Sequence, residues 1–238
     1  MSVITLGAVS LDIHFGSKRV SVLRNASFTF PVCKMALIAE SRSSVVAVLD
    51  MLSRKLVPQS GQLRYAGRVS WPIGHTAPFS VAITGTQAIS HLATLYTFDR
   101  DLALDFLRAE FEAPEQLSRP ILSWPRLRQT KFMMLMALVP TFEVYLVDGN
   151  LVLPEDAVFS RRFLQMFLAR TQDRTVLITA RQSRVLRMIC EGAVVLRDGK
   201  LEFTADIDAA LALSNRIPNL EVAEAASESP ETDDDFLF

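Results

Sequence analysis

The chain has 238 residues, half of them hydrophobic, with 25 basic and 26 acidic side chains. That length holds one α/β domain with a full core, and a formal net charge of -1 argues against a general nucleic-acid binder. Mean hydropathy is +0.24, which points to buried parallel strands or a surface that docks on a partner. The richest apolar stretch, Phe132 to Val147, is interrupted by Pro140 and Glu143, so no run is long enough to span a bilayer. The N-terminus lacks the basic region, apolar core and small-residue cleavage site of a signal peptide. Cys33 and Cys190 lie far apart with no partner at metal spacing and read as small core residues in a reducing compartment. His14, His75 and His91 are scattered, so no zinc site is expected. Basic residues gather between Arg161 and Arg187 and acids at the C-terminus, a pattern that reads as solvated helix faces and a tail.

In chain order, Val3–Leu6, Leu11–Phe15 and Ala26–Phe30 alternate like strands of an antiparallel sheet. Met35–Ala39 is a short apolar run of the kind buried on both faces. Glu40-Ser41-Arg42-Ser43-Ser44 interrupts it, and Val45–Leu52 then shows a helical apolar face. Residues 35–54 therefore read as strand, tight turn and helix, with Ser43 or Ser44 as the N-cap. Pro58-Gln59-Ser60-Gly61 marks a turn.

Helical periodicity covers Thr84–Tyr96, Asp99–Glu112 and Arg126–Val139, punctuated by Pro114, Pro120 and Pro125. Glu143–Asp148 is a second buried strand, ending in an acid, and a helix runs from Glu155 to about Ala169. Arg174–Thr179 is a third such strand, followed by a helix over 182–190. Ala193–Leu196 and Leu201–Phe203 flank Arg197-Asp198-Gly199-Lys200, a hairpin signal, and Ile207–Leu213 is a last helix. Strands alternating with helices imply a mainly parallel sheet covered on both faces. Residues 217–238 carry seven acids and no Lys or Arg and end Phe236-Leu237-Phe238, the composition of a disordered tail. The domain is expected over 1–216, with a helical insert at about 80–140 and the acidic tail at 217–238.

This order of elements resembles an ABC ATPase, a P-loop NTPase fold with an N-terminal antiparallel subdomain and a helical insert. Gly67-Arg68-Val69-Ser70-Trp71-Pro72-Ile73-Gly74 resembles the ATP-binding subunits of capsular and O-antigen polysaccharide export. Phe79, Ile83-Thr84-Gly85, Phe142–Asp148 and Gly192–Leu201 fit the same group. The likeness covers roughly residues 3–213, with a length nearer the capsule-export type. It implies a dimer docked on a membrane-embedded permease at the inner face of a bacterial inner membrane.

The group's chemistry needs G-x-x-x-x-G-K-[ST], whose glycines let backbone amides curl around phosphate while the lysine and hydroxyl serve charge and Mg²⁺. In the matching place the chain has Ala39-Glu40-Ser41-Arg42-Ser43-Ser44-Val45-Val46, with Val45 at the lysine position and Val46 at the hydroxyl. Glu40 adds negative charge, and Arg42 is a candidate substitute cation; the simpler reading keeps the turn as scaffold. The signature segment falls at Trp124-Pro125-Arg126-Leu127-Arg128, without its serine and glycines. Asp148 keeps the acid that reaches Mg²⁺ through water, but Gly149 stands where the general-base glutamate should, with nothing at Asn150 to replace it. Arg181 stands for the switch histidine and Ser80 for the Mg²⁺-sensing glutamine. Both halves of every composite site are then lost.

ATP and Mg²⁺ binding is accordingly expected to be lost or weak, leaving no cofactor and a pseudo-ATPase that scaffolds or regulates an export complex. Two other readings stand beside it: a regulatory module using the old cleft for another ligand, and an active ATPase with an unorthodox site built on Arg42 and Asp148. The partner-docking groove is expected between core and insert, near Phe79, Ser80 and the 84–96 helix.

Overall fold

The structure is a computed structural model that describes residues 3–16, 18–74, 77–149, 151–179 and 183–214. It opens with β1 (Ile4–Phe15), β2 (Lys18–Thr29), β3 (Lys34–Ala39), α1 (Arg42–Leu52), β4 (Ser60–Tyr65) and β5 (Val69–Ile73). The insert carries α2 (Gly85–Tyr96), α3 (Arg100–Glu110) and α4 (Arg126–Met136). The remainder is β6 (Val144–Asp148), α5 (Ala157–Arg170), β7 (Thr175–Thr179), α6 (Ser183–Ile189), β8 (Gly192–Arg197), β9 (Lys200–Thr204) and α7 (Ile207–Ser214). One sheet, ordered β2-β1-β4, is antiparallel. The other, ordered β5-β6-β7-β3-β8-β9, is parallel except for its last pair.

The expected α/β architecture is present, and the helices begin and end within a few residues of their sequence-read bounds. Two differences have local causes. The segments read as separate strands at Val3–Leu6 and Leu11–Phe15 are one strand, β1, because register shifts carry the ladder past Ala8, whose φ is 53°. Strands β4 and β5 escaped notice because each weakens its own signal. β4 is an edge strand that buries little, and β5, also an edge, contains Pro72. Ser70 repairs the ladder there by accepting the Leu146 N–H at 2.9 Å.

The core forms two layers that share the parallel sheet. Met35, Leu37, Val144, Leu146 and Leu177 pack with α1 and the antiparallel sheet; Ala36, Ile38, Tyr145, Val147 and Ile178 pack with the insert and α5. The two-residue period of a strand sends alternate side chains to alternate faces, which is why these strands read as unbroken apolar runs. It also decides where the strand ends point: Asp148 and Thr179 continue the faces of Leu146 and Leu177, toward α1. At the hairpin, Asp198 and Gly199 have φ of 50° and 77°, as a type I′ turn requires. Arg24 N–H donates to the Gly199 carbonyl at 2.8 Å and joins the two sheets. In the insert, Thr84 and Gln87 form a capping box on α2, and Asp99 caps α3. The boundary at residue 216 and the acidic tail lie outside the described residues.

Candidate functional site

Open parallel sheets place ligands outside the carboxyl ends of their strands. Here the ends of β3, β6 and β7 bring Ala39, Asp148 and Thr179 together beneath the start of α1. Only Glu40 and Ser41 separate β3 from α1. The N-cap is Ser41, not Ser43 or Ser44: its hydroxyl accepts the Ser44 N–H at 3.1 Å and lies 2.9 and 2.8 Å from the Ser43 and Ser44 hydroxyls. The helix thus starts earlier than the sequence suggested: the Ser-Arg-Ser-Ser run offers three good capping residues, and Ser41 is the one that caps. Val45 lies inside α1, 7% exposed and packed in the core, with Val46 beside it. A phosphate loop needs about six positions before its lysine; this turn offers two residues.

Arg42 is the first residue of α1. Its guanidinium pairs with Asp148 Oδ1 and donates to Thr179 Oγ1 at 3.2 Å, while Thr179 Oγ1 donates to Asp148 Oδ1 at 2.9 Å. Asp148 and Thr179 are buried, and the Arg42 side chain is 38% exposed. This three-way closure joins residues far apart in sequence, so no local pattern announced it.

Two glycines shape the floor. Gly149 has a φ of 127° and donates its N–H to the Thr179 carbonyl at 2.9 Å. Gly74 has a φ of 128°, and a Cβ there would stand 2.2 Å from the Asp148 carbonyl oxygen. Gly74→Ala is therefore expected to cost about 1–3 kcal/mol in urea unfolding. Gly16→Ala, at φ 57° with nothing within 4 Å, is expected to cost less.

The segment in the signature position opens α4. Trp124 is buried against Phe111 and Phe132, at ring distances of 5.4 and 5.1 Å. Pro125 is the N-cap without a side-chain cap, Arg126 is exposed and Leu127 packs against the core. One helical turn further on lies a buried charge that the sequence pattern does not announce. Lys131, with a side chain 3% exposed, places Nζ 2.6 Å from both Glu112 Oε2 and Asp156 Oδ2. Asp156 in turn caps α5 by accepting the Phe159 N–H at 2.9 Å. Burial works against the Lys131 charge, but the hydrogen bonds to Asp156 and Glu112 outweigh it and raise its pKa. The same Lys131 bond, with the Phe159 amide, holds the Asp156 carboxyl below its ordinary value.

A groove of about 640 Å³ runs between insert and core. It is lined by Phe98, Leu102 and Phe106 from the insert, Val139 after α4, and Met166 and Arg170 from α5. Phe79 is half-buried with its ring 6.3 Å from Phe132, and Ser80 is exposed, accepting the Ala82 N–H. Arg181 and Asn150 lie outside the described residues. Burial pushes the Cys190 thiol up to about 12, in keeping with a core role. Among the described residues no cluster of His, Cys, Asp or Glu is arranged to hold a metal, and no helix is long and apolar enough to cross a membrane.

No family model matches the chain. It is 22% identical to the ATP-binding protein BexA of Haemophilus influenzae over 87% of this chain and 95% of that one. It is 20% identical to the capsule polysaccharide export ATP-binding protein CtrD of Neisseria meningitidis, over 78% and 85%. It is 23% identical to the polysialic acid transport ATP-binding protein KpsT of Escherichia coli, over 80% and 89%. Among solved structures, an ATP-binding subunit of an ABC transporter superposes with a TM-score of 0.69 at 15% identity, over 94% of this chain and 99% of that one. A dimeric bacterial ABC transporter cassette gives 0.64 at 16%, over 84% and 96%. The fold is that of an ABC ATPase domain.

Proposed function

We propose that this chain, whose homologues are the ATP-binding proteins of capsule and polysaccharide export, is a catalytically silent ABC-type subunit of such a system, a scaffold or regulator of the transport complex. The observation that carries this reading is the two-residue turn between β3 and α1. A phosphate cradle is a curl of free backbone amides; Glu40-Ser41 is too short to form one, and Ser41 already takes the Ser44 amide. Counted from the start of the helix, Arg42 takes the lysine's place and Ser43 the hydroxyl's. The guanidinium is committed to Asp148, the acid that would approach Mg²⁺. The residues present do not fit a metal–nucleotide complex. Pro125, Arg126 and Leu127 supply none of the glycine backbone of a signature, so pairing with an intact ATPase subunit completes neither composite site.

Equilibrium binding of a fluorescent ATP analogue to the purified chain tests this; micromolar affinity overturns it. Turnover abolished by Asp148→Asn would instead favour an unorthodox active site.

The partners in this reading are a membrane-embedded permease and an ABC ATPase subunit, a second copy or an intact relative, at the inner face of the bacterial inner membrane. The groove beside α3 is the docking surface, with Leu102 69% exposed at its edge. Leu102→Glu removes an apolar anchor without disturbing the core. It is expected to cut co-purification of the permease from the native source at least about tenfold, with the melting temperature unchanged.

A further inference from the structure

The chemistry at the strand ends deepens that reading and rests on it. Arg42 sits in the first turn of α1, where the helix dipole disfavours a cation, and no acid in that turn offsets it. The offset comes from Asp148, buried at the end of β6, and Thr179, at the end of β7, closes the third side. Leaving Asp148 buried without a cation is costly. Arg42 can serve two acceptors at once because its nitrogens are fixed in a planar fork, which a lysine ammonium on a flexible stem lacks. The guanidinium therefore spans α1, β6 and β7, three elements that a bound metal and phosphate would otherwise draw together.

We propose that Arg42 is a built-in clamp: it takes the place of a ligand, holding the cleft in one closed arrangement whether or not nucleotide is present. An ABC-type subunit with such a clamp keeps the shape a partner docks on and loses the response to ATP.

Amide hydrogen exchange and thermal melting of the full-length, nucleotide-free protein test this. In Arg42→Met, exchange at residues 42–46, 146–149 and 177–179 is expected to rise about tenfold, as local opening there becomes easier. The melting temperature is expected to fall by about 4–8 °C. Asp148→Asn keeps partners for both Arg42 and Thr179 and is expected to fall less. In the double variant the losses are expected not to add, because the two residues act as one unit. If Arg42→Met does not fold, Arg42→Lys carries the test: the charge remains but the fork is gone, and exchange at 177–179 is expected to rise while 42–46 changes less. Exchange within twofold of wild type at all three segments overturns the clamp, as does strict additivity of the two single variants. The measurement uses no nucleotide, so its outcome is distinguishable from ATP binding by the wild type, which would overturn the silent-cleft reading itself.

Discussion

Replacing Lys131 by alanine lowers the melting temperature by about 5–10 °C at neutral pH, the largest single effect expected outside the apolar core. The reason lies in what it leaves behind. Lys131 answers two carboxylates from two parts of the chain: Glu112, which follows α3 of the insert, and Asp156, the cap of α5 in the core. Its stem is buried and its ammonium stands 5.3 Å over the Phe159 ring. Truncation leaves Asp156 with its cap bond from Phe159 and Glu112 with Arg128 at 3.4 Å, and opens a cavity at the seam between insert and core. Lys131→Met refills the volume but not the charge, so it is expected to recover only part of the loss.

The pH dependence separates charge from volume. The Asp156 carboxyl is held below its ordinary value, so its contribution is present above the usual carboxylate range and is lost as pH falls through the lowered value. Lys131 is raised, so its contribution is present below the usual lysine range and is lost as pH climbs through the raised value. The gap between wild type and Lys131→Ala is therefore widest from about pH 5 to 9 and narrows below about pH 4. Melting curves across that range check it; a gap independent of pH would assign the effect to packing alone.

The second large effect is a failure of repair. Gly149→Glu restores the side chain that the fold's chemistry asks for, yet no measurable ATP hydrolysis is expected. Removing one group that stabilises a reacting phosphate costs about 10²–10³ in rate, and groups that act as a unit do not return singly. On the reading proposed above, the phosphate cradle and signature glycines are missing as well. Gly149 also has a φ of 127°, where a side chain is strained. The variant is expected to lose about 1–3 kcal/mol in urea unfolding while a phosphate-release assay stays at background. Hydrolysis above background would show that the cleft accepts nucleotide despite its short turn.

The parallel sheet, the insert helices and the β8–β9 hairpin were legible because their signals are local: apolar runs, capping residues and an Asp-Gly turn. The Gly67–Gly74 and Phe142–Asp148 segments carried the family likeness before any geometry was known. What escaped was either weakened by its own residues or closed over long distances. Pro72 disguised an edge strand. The capping serine was misplaced by two or three residues, and that small shift moved Arg42 from the turn to the head of α1. The family likeness already put Arg42 and Asp148 in one site, but Thr179 as their third member and the Glu112–Lys131–Asp156 closure join distant segments and escaped. Periodicity carries no trace of such pairings, because each partner alone looks like an ordinary charged or polar residue on an amphipathic element.

The turn between β3 and α1 has a consequence for descent. A lost side chain can return by one substitution. A turn of two residues is a matter of chain length, and no series of point substitutions lengthens it. With Arg42 and Asp148 now satisfying each other at the head of α1, an inserted loop would also have to pull that pair apart before it could hold phosphate. On the silent-cleft reading proposed above, drift back toward an ATP-driven motor is blocked at its first step, and a lineage carrying this turn is refined for work that needs no fuel.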